Sequence, residues 1–211
     1  VAISGNIADV TAALVTSGSK VVLGTVDTPV TVSGAVTAKE GADIANVAKA
    51  TATFSNGVAD ALDKLAASGA ITTDLTGLLA DDATVTITIN DAGPLTAAAA
   101  DLKAIGGATS GAVNVANAAA ISGTAADVTA ALVTAETKVA LDTASTVSVS
   151  DAVSASEGAD IADVANATAT YAGGVADAMA SLYDTGSDVT TNLGKILTAD
   201  PDAAIAVTDT S

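Results

Sequence analysis

The chain has 211 residues, 24 of them acidic and only 7 basic, and it contains no Cys, His or Trp and just three aromatic side chains, Phe54, Tyr171 and Tyr183. Thiolate and imidazole chemistry, disulfides, zinc fingers and haem ligation are therefore excluded. A net charge of −17 also argues against nucleic acid as a partner, because phosphate contacts need clustered cations.

The chain opens on ISGNIADVTAALVT (3–16), which returns as ISGTAADVTAALVT (121–134) with twelve of fourteen positions identical at a spacing of 118. Val30-Thr-Val32 then alternates β-branched and hydroxyl residues, which predicts a strand with its Val side chains inward. Thr37-Ala-Lys-Glu40 has the S/T-x-x-E form of a capping box and predicts a helix start. The helix that follows carries Ile44 and Val47 inward, with Ala in the other inward positions. EGADIANVAKATAT (40–53) returns as EGADIADVANATAT (157–170), again with twelve of fourteen identities, at a spacing of 117. Ala52-Thr-Phe54 predicts a short strand, followed by a Gly turn and a helix bearing Val58, Leu62 and Leu65. Val85-Thr-Ile-Thr-Ile89 predicts the next strand, and Leu95–Ile105 the next helix.

The second copy repeats this order. Val147-Ser-Val149 is a strand, Ser154-Ala-Ser-Glu157 a second capping box, and Ile161 with Val164 the inward side of a helix. Ala169-Thr-Tyr171 matches Ala52-Thr-Phe54, so Phe54 and Tyr171 are predicted core residues, and Tyr183 is exposed. Gly106-Gly107 and Gly173-Gly174 read as helix ends. The last strand, around Ala204-Ile-Ala-Val-Thr208, matches the one at Val85. A finer period of 59, half of 118, aligns Asp101, Leu102 and Ile105 with Asp160, Ile161 and Val164, and FSNGVADALDKL (54–65) with ISGTAADVTAAL (121–132).

Strand–helix units of ~30 residues in series imply parallel strands joined by crossovers. The predicted fold is α/β: a solenoid-like stack of such units, with residues 1–118 as the first copy and 119–211 as a second, incomplete one. Ala-rich units bury little apolar area. At roughly 25 cal/mol per Å², one unit does not offset its own ordering entropy, so neighbours must share a face. The first copy starts mid-unit at Ile3, and the helix after the final strand is missing, so both ends expose apolar edges. Val1, Ala2 and Ile3 at one end and Ile205 and Val207 at the other are the predicted assembly residues, with a second copy of this chain as the partner. Exposed strand edges invite such pairing.

Carboxylates are the only candidate chemistry. Asp81, Asp82, Asp91, Asp200, Asp202 and Asp209 cluster at strand ends and are the candidate Ca²⁺ ligands, since Ca²⁺ takes six to eight oxygens. The same residue type caps helices and forms turns, and neither a D-x-D-x-D-G loop nor a G-G-x-G-x-D repeat occurs. Asp43, Asp60, Asp127, Asp160 and Asp177 are placed near helix starts, where the helix dipole favours them. No catalytic constellation is present, and paired carboxylates without aromatic walls make a poor sugar-cleaving site. The chain is read as a non-enzyme. No apolar run is long enough to span a bilayer, which argues against membrane insertion. Asn166-Ala-Thr168 is one sequon-type triplet and makes glycans a partner class to consider.

ISGTAADVTAAL and VSVSDAVSASEGADIADVANAT resemble the Ala/Thr/Val/Asp-rich repeats of very large bacterial cell-surface and secreted proteins, known from cyanobacteria and marine proteobacteria. The resemblance covers nearly the whole chain. It implies an extracellular, structural setting: a subunit of a surface filament or surface layer that assembles head to tail, or alternatively a non-polymerising stalk or adhesive module of a large adhesin.

Overall fold

The computed structural model describes residues 2–18, 21–24, 27–47, 50–134, 139–164, 168–184 and 188–209. The chain begins with strand β1 (Ile3–Asn6) and helix α1 (Ile7–Leu14), then β2 (Thr28–Ser33) and α2 (Ala38–Ala45). Strands β3 (Ala50–Phe54) and β4 (Val58–Asp60) follow, then the one-turn helix α3 (Leu62–Leu65) and the antiparallel ribbon β5 (Ala66–Ala67) and β6 (Ala70–Ile71). Next come α4 (Thr73–Asp81), β7 (Ile87–Ile89), β8 (Leu95–Ala98), α5 (Ala99–Ala108), β9 (Val113–Val115) and β10 (Ala119–Gly123). Helix α6 (Ala125–Val128) runs on as a π-helical turn, Thr129–Val133, into β11 (Val139–Ala140), β12 (Thr146–Val149) and α7 (Ala155–Val164). The chain closes with β13 (Thr168–Tyr171), β14 (Val175–Asp177), α8 (Met179–Leu182), α9 (Thr191–Ala199) and β15 (Ile205–Val207).

The fold is mixed α/β, and among the described residues four of the five sheets are built of parallel strands. One sheet runs β1-β2-β3, a second β13-β12-β10-β8, a third β11-β9-β7-β4, and β14 pairs with β15. Partners lie 22 residues apart between Val30 and Ala52, 29 between Val58 and Ile87, and 30 between Val175 and Ile205. Strand β10, just past residue 118, pairs with β8 of the first copy, so one sheet joins the two sequence copies.

Local sequence explains most of these elements. Along β2, buried Thr28, Val30 and Val32 alternate with exposed Pro29, Thr31 and Ser33, the period of two that a strand imposes. Thr37 accepts from the Glu40 N–H while the Glu40 carboxylate accepts from the Thr37 N–H, completing the predicted capping box. At the second site, Ser154 accepts from the Glu157 N–H, but the Glu157 carboxylate accepts from the Thr129 hydroxyl. Phe54 and Tyr171 are both buried, and the Tyr171 hydroxyl donates to the Gly158 carbonyl at 2.6 Å. Its surroundings, chiefly desolvation and then the charges of Asp200 and Asp163, push the phenol pKa up to about 12. One apolar cluster runs from Val10 to Ile196 through both copies.

Three expectations are corrected. Val58–Asp60 and Val175–Asp177 are strands, not the first turn of a helix, and the helices after them begin only at Leu62 and Met179. The alignment of FSNGVADALDKL with ISGTAADVTAAL therefore pairs a strand residue, Asp60, with a helical one, Asp127. Leu95–Ala98 is strand β8, so the helix expected over Leu95–Ile105 begins four residues later. Gly173 and Gly174 form the turn between β13 and β14 rather than a helix end. Gly174 and its counterpart Gly57 have φ of +74° and +78° and come close to the Ala204 and Thr86 carbonyls. Only glycine accommodates both demands.

Candidate assembly surfaces

The aspartates are the candidate chemistry of the chain. Asp60 Oδ2 accepts from the Ala38 N–H at the start of α2, and Asp177 does the same for Ala155 at the start of α7, both at 3.0 Å. Their other oxygens accept from Ala61 and Ala178. These two residues were expected near the starts of their own helices. They sit instead in strands and cap a helix 22 residues earlier. Asp127 does lie in a first turn, while Asp43 and Asp160 lie deeper in α2 and α7.

Of the candidate Ca²⁺ ligands, Asp81 accepts from Ala52 N–H, Asp82 from Phe54 N–H and Asp200 from Tyr171 N–H, at 2.7 to 3.0 Å. Asp82 is buried and also accepts from the Thr84 N–H and hydroxyl. Asp91 accepts from Leu62 N–H, and Asp209 from Met179 N–H. Asp202 is exposed in the turn before β15. Among the described residues, no three carboxylates converge as a metal site. Asp202 apart, these side chains join successive passes of the chain: each supplies the acceptor that an edge strand or helix N-terminus lacks.

This wiring is not legible at any one residue, because each partner across the chain lies 22 to 30 residues away. The available signal was the repeat itself, which keeps Asp60 with Asp177, Asp82 with Asp200 and Asp91 with Asp209. The charge environment follows the geometry. The N–H groups of Ala155 and Ala178, outweighing a desolvation penalty, hold the Asp177 carboxyl below its ordinary 3.8. Asp127 is likewise lowered, first by the Lys103 ammonium that donates to it.

The predicted assembly residues divide. Val1 lies outside the described residues, as does Asn166 of the sequon. Ala2 is exposed, and Ile3 is half-buried in β1, where it pairs with Val30. Ile205 and Val207 lie in β15, which pairs with β14. Their counterparts in the first copy are Ile87 and Ile89 of β7, which has β4 on one edge and β9 on the other. Exposure shows the difference: 0 % for Ile87 and 1 % for Ile89, against 39 % for Ile205 and 48 % for Val207. The same holds beside them. Leu62 and Ala66 are buried, whereas their counterparts Met179 and Tyr183 are 46 % and 40 % exposed. Met179, Tyr183, Asp184, Ile205 and Val207 line one open groove of about 650 Å³. Sequence reasoning placed Tyr183 at the surface but missed Met179. At the other end Val22 is 89 % exposed.

No helix among the described residues is long and apolar enough to cross a membrane. The chain matches no protein-family model, no curated protein and no solved structure.

Proposed function

We propose that this chain is a structural, extracellular protein, a subunit of a surface filament or layer that assembles head to tail with copies of itself. Its parallel strands are read as rungs of one continuing stack, in which each rung covers the last. The observation that carries this reading is the contrast between β7 and β15. The same sequence element is buried as β7, between β4 and β9, and more exposed as β15, which pairs with β14 among the described residues. A row of free strand donors and acceptors flanked by Ile, Val, Met and Tyr is a surface built for strand addition. The hydroxyl-rich, Lys-poor composition and the absence of thiols suit an exposed polymer. The resemblance to surface-protein repeats points the same way.

Light scattering and electron microscopy of the purified chain test this, from dilute to concentrated solution. Mass that grows with concentration, together with unbranched filaments or sheets, is the expected result. A monomer mass at the highest concentration overturns it and favours the stalk module.

A further inference from the structure

Sheets of parallel strands are as a rule covered on both faces. The β13-β12-β10-β8 sheet, which lies within the chain from Leu95 to Tyr171 rather than at either end of it, is covered on one. Its inward side chains, Ala97, Ile121, Val147 and Ala169, are buried. On the other side Thr96, Ser122, Thr146, Thr168 and Thr170 are exposed and Ser148 is half-buried.

The strands pair in parallel register, so these outward residues form straight rows. Ser122, Ser148 and Thr170 stand side by side in one row, and Thr146 and Thr168 in the next. Neighbours within a row are about 4.8 Å apart, and the rows are about 6.6 Å apart, twice the rise per residue. Threonine is stiff at χ1, and the Thr170 hydroxyl is further fixed by donating to the Val147 carbonyl. The first copy holds the same row: Ser4, Thr31 and Thr53 are register partners and all exposed. They match Ser122, Ser148 and Thr170 in the sequence repeat.

Charge is a second, independent observation. The chain has 24 acidic residues, yet the outward face of these four strands carries none; besides the hydroxyls it holds only Ala98 and Ala120. Charged pairs sit on the helices instead, as in Lys39 with Asp43 and Lys103 with Asp127. A cationic partner finds nothing to pair with on this face, so its complement is an uncharged surface. A stiff grid of hydroxyl and methyl groups favours, among uncharged surfaces, one that is itself ordered at a like pitch. Oxygens on a prism face of ice repeat at comparable intervals in two directions. A polysaccharide is the poorer match, because flat sugar surfaces are gripped by exposed aromatic rings, and Phe54 and Tyr171 are buried.

We infer that the outward face of the β13-β12-β10-β8 sheet binds ice. Its Thr and Ser hydroxyls take the place of lattice waters, and the Thr methyl groups lie between them. This goes beyond the self-assembly reading and does not depend on it.

Ice grown slowly from a dilute solution of the chain tests it. The readout is the partition of total protein between ice and liquid, with serum albumin as the excluded reference. The parent chain is expected to enter the ice and to slow recrystallisation. Ser122→Lys and Thr146→Lys each place a charge inside the grid and are expected to fall to the albumin level. Ala80→Lys makes the same charge change at an exposed site on α4 and is expected to behave as the parent. Circular dichroism checks that each variant is folded, and the parent result stands without them. A parent chain excluded from ice like albumin overturns the inference, and so does an equal loss in the Ala80→Lys variant. Retention on insoluble cellulose or chitin together with exclusion from ice overturns it in favour of a polysaccharide.

Discussion

Asp177 shows how a single side chain holds two passes of the chain together. Its folded pKa lies below 3.8 because its charged form accepts from Ala155 and Ala178. A carboxyl depressed in the folded state adds stability that is complete above its unfolded value and lost as the pH falls through the folded one. Asp177→Asn keeps one acceptor and loses the charge. The variant is therefore expected to be less stable than the parent at about pH 6, with the gap narrowing in acid, below the ordinary carboxyl value of 3.8. Urea unfolding at both pH values measures it, and a gap that does not change with pH refutes the assignment. None of this was legible from the residue alone: Asp177 in GVADAMASL looked like part of a helix, because a three-residue strand is too short to show its period.

At the scale of elements, the repeated EGADI segment places a glycine inside a helix, where it costs propensity. Packing supplies the reason. A Cβ on Gly41 would lie 2.1 Å from Leu78 Cδ1 of α4, and one on Gly158 2.7 Å from Ile196 Cδ1 of α9. The helices α2 and α4, and α7 and α9, approach closely because these positions are bare. Gly158→Val is expected to destabilise the fold by about 1–3 kcal/mol through overpacking, seen as a lower denaturation midpoint, whereas the same change at exposed Gly107 serves as the control without a packing clash. Strands with clean alternation, such as β2, and the Thr37 capping box were legible because their signals are local. The β4 and β14 strands, β8 and the β5–β6 ribbon were not, since their strand state depends on partners elsewhere in the chain, such as Ile87 for Val58.

For the whole molecule, charge opposes association. Each copy carries −17, and like-charged subunits repel over a screening length of ~10 Å at 0.1 M salt and ~3 Å at 1 M. Assembly through the apolar ends is therefore expected to strengthen with sodium chloride, read as scattered mass at fixed protein concentration; mass that falls with salt would mean that ion pairs, not strand addition, hold the subunits. The sequence repeat and the strand around Ile205 were visible in the sequence. The groove beside that strand was not, because Met179 and Tyr183 become its wall only once α8 and β15 are placed side by side.

The proposed head-to-tail assembly joins unlike patches, with β15 in one and β1 in the other. A contact between unlike patches does not pair off into a closed dimer and propagates in one direction unless its rotation closes a ring. Any fibre so made has a polarity. Its two tips differ chemically, so a surface that grips one tip would align every fibre the same way, and a single blocking protein at the other would set their length.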